Sequence, residues 1–147
     1  VPSVGLVLGS GLAAFAGRLE ERSSVDYGDI PGMPQSGVIG HPGVLHWGNV
    51  AGVSVACLQG RVHAYEGHSL DRVCFGVTLL ARMGCQVVLL SNAAGGVDSS
   101  FSAGDLMLIT DHLNLTGSNP LLGAVDSRTT SSGFLMTCRV ICCSCMA

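Results

Sequence analysis

Short apolar runs alternate with amphipathic segments along this chain, and the period of each run predicts its secondary structure. Mostly apolar runs predict strands at residues 4–8, 44–49, 53–58, 87–90 and 106–109. Apolar residues at helical spacing predict helices over residues 12–21 and 70–83, with Gly84 as the C-terminal cap of the second. The alternation predicts an α/β fold whose sheet is largely buried.

The pattern breaks after Gly123. Residues 124–147 show no clear period, and their only charged residues are Asp126, Arg128 and Arg139. The same stretch holds four of the seven cysteines. We therefore predict one folded unit over residues 1–123, followed by an off-pattern tail over 124–147.

Composition narrows the class of protein. Hydrophobic residues make up 48% of the 147 residues and charged residues only 12%, which predicts apolar surface that more chain or a partner subunit covers. The net charge of −3 argues against a nucleic-acid partner. No apolar run is long enough to span a bilayer and no signal peptide is recognisable, so no membrane partner and a cytoplasmic location are expected. Cys57, Cys74 and Cys85 lie in apolar stretches and are predicted to be reduced core residues.

The first candidate site is the turn Gly9-Ser10-Gly11, between a predicted strand and a predicted helix. Main-chain N–H groups and the helix dipole favour an anion there, and glycines let a phosphate approach the backbone closely. A tight turn without a ligand is the alternative. The same residues fit a loose dinucleotide-binding pattern, but Asp29 follows a turn-rich segment where that pattern needs a central strand.

The second candidate site is the segment from Gln59 to Gly67, which is polar and rich in ring side chains. Arg61, His63 and Tyr65 are two residues apart and share one side of an extended chain. A guanidinium beside an imidazole is a suitable clamp for an oxyanion. A solvated loop or a surface pair between Arg61 and Glu66 remains the alternative.

Three further groups of residues carry weaker signals. His41 lies in a turn before a strand, where an exposed histidine without a role is the default. The small residues after Asn92 follow a buried strand at the end where α/β folds gather ligands, although a tight turn also explains them. The cysteines between 138 and 145 lack the paired spacing of a zinc site, so no metal is predicted.

Taken together, six segments resemble the purine nucleoside phosphorylase family, in its trimeric branch that includes methylthioadenosine phosphorylases. They follow the family's order and spacing, and the match runs from Val4 to Gly123. The segments are Gly9-Ser10-Gly11-Leu12, Tyr27-Gly28-Asp29-Ile30-Pro31, Gly40-His41-Pro42-Gly43, Gln59-Gly60-Arg61-Val62-His63-Ala64-Tyr65-Glu66-Gly67, Ser91-Asn92-Ala93-Ala94-Gly95-Gly96, and the stretch from Gly104 to Asn114.

The resemblance implies a phosphorylase/hydrolase-like mixed sheet flanked by helices, truncated in this chain. It also implies cleavage of purine nucleosides by inorganic phosphate, a co-substrate, with no cofactor and with a homotrimer as the full-length assembly. His63 is the implied catalytic residue. The implied phosphate-binding residues are Ser10, His41, Arg61, Val62, His63 and Ala93, and the implied nucleoside-binding residues are Tyr65, Ala94 and Gly95.

The family continues well beyond Gly123 with the residues that hold the purine, and the tail resembles none of that continuation. Our hypothesis is that a shifted reading frame or a mispredicted junction replaced the true continuation. The resemblance therefore leaves two functions open for this chain: an active phosphorylase, or an inactive fragment that keeps only the phosphate half-site.

Overall fold

A computed structural model describes residues 1–38, 42–120 and 137–143, the last range by its main chain alone. The described strands form one mixed sheet and a single α-helix packs on it. The strands are β1 (Val4–Leu8), β2 (Glu20–Asp26), β3 (Val44–Val50), β4 (Val53–Gln59), β5 (Val87–Ala93), β6 (Leu106–Ile109) and β7 (Thr137–Cys143), and the helix is α1 (Leu70–Arg82). Short 3₁₀ helices cover Ala13–Arg18, Tyr27–Asp29 and Ala64–Glu66.

The strand order is β2-β3-β4-β1-β5-β7-β6. At the centre, β1 runs parallel to β4 on one side and to β5 on the other, and β5 is parallel to β7. The pairs β2–β3, β3–β4 and β6–β7 are antiparallel. The α/β class and the mixed sheet are thus confirmed, and the carboxyl ends of β4, β1 and β5 lie side by side at one edge.

The five predicted strands and the predicted helix α1 are all present, with small shifts at their ends. Asp71 in the first turn of α1 and Arg82 in its last turn complement the helix dipole. Gly84, at a φ of +97°, ends the helix, and its N–H donates to the carbonyl of Ala81 at 3.0 Å. The side chain of Leu80 is fully buried against the sheet.

The predicted helix over residues 12–21 is wrong. The structure has the 3₁₀ helix Ala13–Arg18, followed at once by β2, an edge strand that pairs with β3. The apolar spacing that suggested an α-helix serves the 3₁₀ helix equally well, because it buries Ala16 and Leu19 against the sheet. The residues of β2 are mostly exposed, and an exposed edge strand needs no apolar face that a sequence pattern would show.

Strand β7 lies in the segment where the sequence pattern predicted no element. Its main chain pairs with β5 from Val87 to Ala93 and with β6 on its other side. The assignment of residues 124–147 to an off-pattern tail stays a prediction. Among the described residues, no helix has the length and apolar character needed to cross a membrane.

Successive residues of the central strands face opposite sides of the sheet and build two core clusters. Val7 and Leu58 belong to the cluster beneath α1, which also contains Leu80 and Cys85. Leu8 and its neighbours face the 3₁₀ helix Ala13–Arg18 on the other side. Three cysteines are free thiols as predicted: Cys57 and Cys85 are fully buried, and Cys74 is half-buried.

Candidate functional site

The candidate site lies at the edge where the central parallel strands end. Gly9 and Ser10 follow β1, Arg61 follows β4 after Gly60, and Ser91, Asn92 and Ala93 end β5. We call these residues the strand-end cluster: Gly9, Ser10, Arg61, Ser91, Asn92 and Ala93. Ligands in α/β sheets gather outside the carboxyl ends of the strands, which is where the predicted phosphate residues lie.

Gly9 forms the floor of the strand-end cluster. Its N–H donates to Ser91 Oγ at 2.9 Å, and the Ser91 hydroxyl donates to the carbonyl of Val7 at 3.1 Å. A Cβ at position 9 would lie 2.4 Å from the main-chain oxygen of Ser91 and 2.9 Å from Arg61 Nη1. Only glycine fits at position 9, because the strand ends approach too closely for any side chain.

Arg61 spans the end of β1. Its Nη1 donates a 2.6 Å hydrogen bond to the main-chain oxygen of Ser91, so the side chain reaches from β4 across β1 to β5. Desolvation lowers the pKa of the Arg61 guanidinium, and interaction with Tyr65 opposes that shift. The group remains a cation, and partial loss of water strengthens its attraction for an anion.

Ser10 occupies an exposed turn beside Gly11, whose φ is +84°. The segment that follows is a six-residue 3₁₀ helix, so the α-helix dipole predicted to favour an anion at this turn is absent. The remaining support for an anion at Ser10 is its hydroxyl and its position beside Gly9. Its role in phosphate binding stays a prediction.

His63 and Tyr65 lie on the same side of their segment, as predicted. Their rings stack with centroids 4.8 Å apart and planes at 11°, and Tyr65 is 76% exposed. Val62 is only 4% exposed, so its side chain belongs to the core and its main chain alone is available to a ligand. The stacking limits the rotation of the His63 ring at the site entrance.

Glu66 fixes the loop that carries His63. One of its carboxylate oxygens accepts the N–H of His63 at 2.7 Å, and the other accepts Ser36 Oγ at 2.9 Å and the N–H of Gly37 at 3.1 Å. Desolvation raises the pKa of Glu66, but these three hydrogen bonds outweigh it and the pKa is lowered. The carboxylate is thus built into the loop, and the surface pair with Arg61 that the sequence left open is not what holds it.

Ala94 and Gly95, the predicted purine neighbours, follow β5 and border a cavity of about 120 Å³. A larger cavity of about 300 Å³ lies between the sheet and α1, with Arg61 and Ser91 among its few polar neighbours. Asn92 lines both cavities, and its Oδ1 is buried with no hydrogen-bond partner. His41 lies outside the described residues.

Ser91 and Asn92 were missed as site residues. The available signal was a polar pair at the end of an otherwise apolar strand, directly before Ala93. Asp29 lies in the 3₁₀ helix Tyr27–Asp29, not at the end of a parallel strand, which removes the acidic residue that the dinucleotide pattern requires. Within the described ranges, no group of three or more His, Cys, Asp or Glu residues is placed to hold a metal ion.

Comparison with known proteins identifies what the chain resembles. The family model described as Phosphorylase superfamily matches residues 3–145. Purine nucleoside phosphorylase 1 of Geobacillus stearothermophilus is 48% identical over 126 residues, covering 86% of this chain and 46% of that protein. The purine nucleoside phosphorylase of Rattus norvegicus is 44% identical over 130 residues, covering 86% of this chain and 45% of the relative.

Solved structures agree with the sequence relatives. Purine nucleoside phosphorylase from Schistosoma mansoni in complex with acetate superposes with a TM-score of 0.78 at 36% identity, over 87% of this chain and 48% of that one. A schistosoma purine nucleoside phosphorylase in complex with hypoxanthine gives a TM-score of 0.78 at 35% identity, over 86% and 45%. The chain spans about half the length of the curated relatives it matches.

Proposed function

Because this chain belongs to the phosphorylase superfamily, we propose that it carries the phosphate-binding part of a purine nucleoside phosphorylase. The reaction is the phosphate-dependent cleavage of purine ribonucleosides or deoxyribonucleosides to the free base and the sugar 1-phosphate. The observation that carries the proposal is the position of Arg61, held over the ends of β1 and β5 by its hydrogen bond to Ser91.

The proposed phosphate ligands come from separate segments of the chain. The Arg61 guanidinium supplies charge, Ser10 supplies a hydroxyl, and the main chain of Ala93 supplies an N–H at the end of β5. His63 is the proposed catalytic residue and donates to a phosphate oxygen. His41 and the main chain of Val62 complete the set by resemblance.

Donors of fixed geometry promote this reaction through positioning and electrostatics. A phosphate oxygen bonds to the anomeric carbon as the glycosidic carbon–nitrogen bond breaks, and the electron pair of that bond leaves with the purine, which takes up a proton. Positive charge grows on the sugar during this step. An anion held beneath the sugar stabilises that charge, and partly desolvated Arg61 keeps the anion in place.

The nucleoside occupies the outer side of the phosphate in this proposal. Tyr65 is exposed and stacked on His63, so its ring is available to the ribose. Ala94 and Gly95 border the purine beside the smaller cavity. Inorganic phosphate is a co-substrate and no cofactor is needed; the complete protein acts in the cytoplasm as a homotrimer.

A second candidate function is a non-catalytic fragment that binds phosphate without turning over nucleoside. One observation favours it: the chain spans under half the length of its relatives. In the family that the sequence resembles, the groups that protonate and hold the purine lie in the second half. A chain without those groups keeps the anion site and loses the leaving-group chemistry.

One experiment separates the two functions. Release of hypoxanthine from inosine is measured with and without phosphate, alongside binding of inorganic phosphate by calorimetry. Arg61→Gln removes the central charge, and Arg82→Gln is the matched control, because Arg82 is exposed at the end of α1 that precedes β5, away from the strand-end cluster.

Phosphate-dependent turnover that falls about a hundredfold or more in Arg61→Gln and is retained in Arg82→Gln would establish the phosphorylase. Phosphate binding that depends on Arg61, without turnover, would establish the fragment. Absence of both activity and phosphate binding would refute both functions.

A further inference from the structure

A buried tyrosine connects two segments at the entrance to the strand-end cluster. Tyr27 is 2% exposed, in the 3₁₀ helix that follows β2. Its N–H donates to the carbonyl of Gly43 at 2.8 Å, and its hydroxyl donates to the carbonyl of Gly60 at 2.7 Å. Gly43 in turn donates its N–H to the carbonyl of Gln59 at 3.0 Å. The end of β4 is therefore tied to the segment before β3 through a single side chain.

Gly60 is the point where this tie affects Arg61. Gly60 is buried with a φ of +107°, a region where glycine alone is unstrained and where its own conformational preference is weak. The hydrogen bond from Tyr27 fixes the direction of the Gly60 carbonyl. The next residue is Arg61, whose guanidinium must reach the main-chain oxygen of Ser91.

We propose that Tyr27 is a positioning residue of the phosphate site, acting through Gly60 to hold the Arg61 guanidinium over the ends of β1 and β5. The inference rests on the proposed function, because it treats Arg61 as a phosphate ligand. Tyr27 itself touches no substrate. Rotation of the Gly60 peptide would swing the long Arg61 side chain, and small misplacements of a binding group weaken ligand binding strongly.

The surroundings of Tyr27 keep its hydroxyl a donor. Burial, together with Cys57, raises the pKa of the Tyr27 phenol well above its ordinary value. The ring packs against Gly43, where an added Cβ would lie 3.4 Å from Tyr27 Cδ2. The ring is therefore fixed in place on one side and its hydroxyl on the other.

Tyr27→Phe tests the inference because it removes the hydroxyl and keeps the ring. Two quantities are measured: amide hydrogen exchange over residues 60–66, and the dissociation constant for inorganic phosphate. Loss of this buried hydrogen bond is expected to speed exchange there about tenfold and to weaken phosphate binding about tenfold. Leu80→Val is the control, since it loosens the core beneath α1 without touching Gly60.

The outcomes separate the inference from the proposed function. Wild-type protein that binds no phosphate would refute the proposed function and this inference with it. Wild-type binding with unchanged affinity in Tyr27→Phe would overturn the inference alone, even if exchange rises, because Tyr27 would then be only structural. A loss of phosphate affinity in Leu80→Val as large as in Tyr27→Phe would also overturn it.

Discussion

Arg61 Nη1 and the main-chain oxygen of Ser91 lie 2.6 Å apart, and this hydrogen bond joins the end of β4 to β5 across the end of β1. The crossing depends on the empty space above Gly9. Three strand ends are thereby held together by one side chain, and the predictions below test the residues that make this arrangement possible.

Gly9→Ala should disrupt the crossing. The added Cβ would lie 2.4 Å from main chain that has no room to move, so we expect a loss of about 1–3 kcal/mol in the free energy of unfolding. Urea denaturation measures this loss, and phosphate affinity should fall with it. Gly17→Ala is the control, because no atom lies within 4 Å of a Cβ there. Equal stability of the two variants would contradict the close approach at Gly9.

Ser91→Ala should destabilise the chain by about 1–3 kcal/mol, measured by urea denaturation. The Ser91 hydroxyl serves both the N–H of Gly9 and the carbonyl of Val7 in a buried position, and alanine leaves both groups without this partner. The exposed hydroxyl of Ser3 makes one longer bond to the carbonyl of Ser54, so Ser3→Ala should change stability by less than about 0.5 kcal/mol. A Ser91→Ala variant as stable as Ser3→Ala would rule out this role.

Glu66→Gln should flatten the acid side of the stability profile. The pKa of Glu66 is lowered in the folded chain, so its carboxylate stabilises the fold at pH values above its ordinary pKa of 4.5. That stabilisation is lost as pH falls from 4.5 through the lower folded value. Urea midpoints across this window should fall less in Glu66→Gln than in the wild type. Glu20→Gln, an exposed change on β2, should leave the profile as it is, and identical profiles in all three would disprove the assignment.

Native alkylation should distinguish the three described cysteines. Burial raises the pKa of the Cys57 thiol to about 12 and that of Cys85 above its ordinary value, and both are fully buried. Cys74 is half-buried, although burial and Asp71 raise its pKa as well. Because the thiolate is the nucleophile and needs access, iodoacetamide at about pH 8 should modify Cys74 first. Peptide mass spectrometry reads the order, and equal rates at Cys57 and Cys74 before urea is added would contradict it.

Leu113→Glu with Leu115→Glu should raise the soluble concentration of the chain. These leucines are 87% and 89% exposed, and Leu106 on β6 is 66% exposed, which together make an apolar surface open to self-association. Light scattering across a concentration series measures the change. Gln86→Glu combined with Gln35→Glu adds the same charge at exposed positions elsewhere and should have a smaller effect. An equal gain in both double variants would show that charge alone is responsible.

The elements that the sequence predicted well are those whose residues report their own burial. The strand starting at Val87 is an uninterrupted apolar run because both of its faces are covered, and α1 shows its period because one face packs on the sheet. Strand β2 carried no such mark. Its partner β3 lies about twenty residues on, and edge pairing places little demand on side chains.

The candidate site divides in the same way. Arg61, His63 and Ser10 stand in short motifs, so a resemblance was enough to single them out. The roles of Ser91, Gly9 and Tyr27 depend on contacts between distant segments, and no local pattern carries that information. Gly9 looks like a flexible turn residue in sequence, whereas the structure requires it for space.

Gly9 and Ser91 are 82 residues apart along the chain, which has a consequence for biosynthesis. During translation β1 and β4 emerge well before β5, so the Arg61 side chain has no Ser91 carbonyl to bind until the ribosome has passed that codon. Contacts this distant in sequence close late and slow the folding of the whole sheet. A nascent chain that stalls before β5 therefore exposes its cation with nothing to orient it, and anion recognition arises only in the last stage of folding.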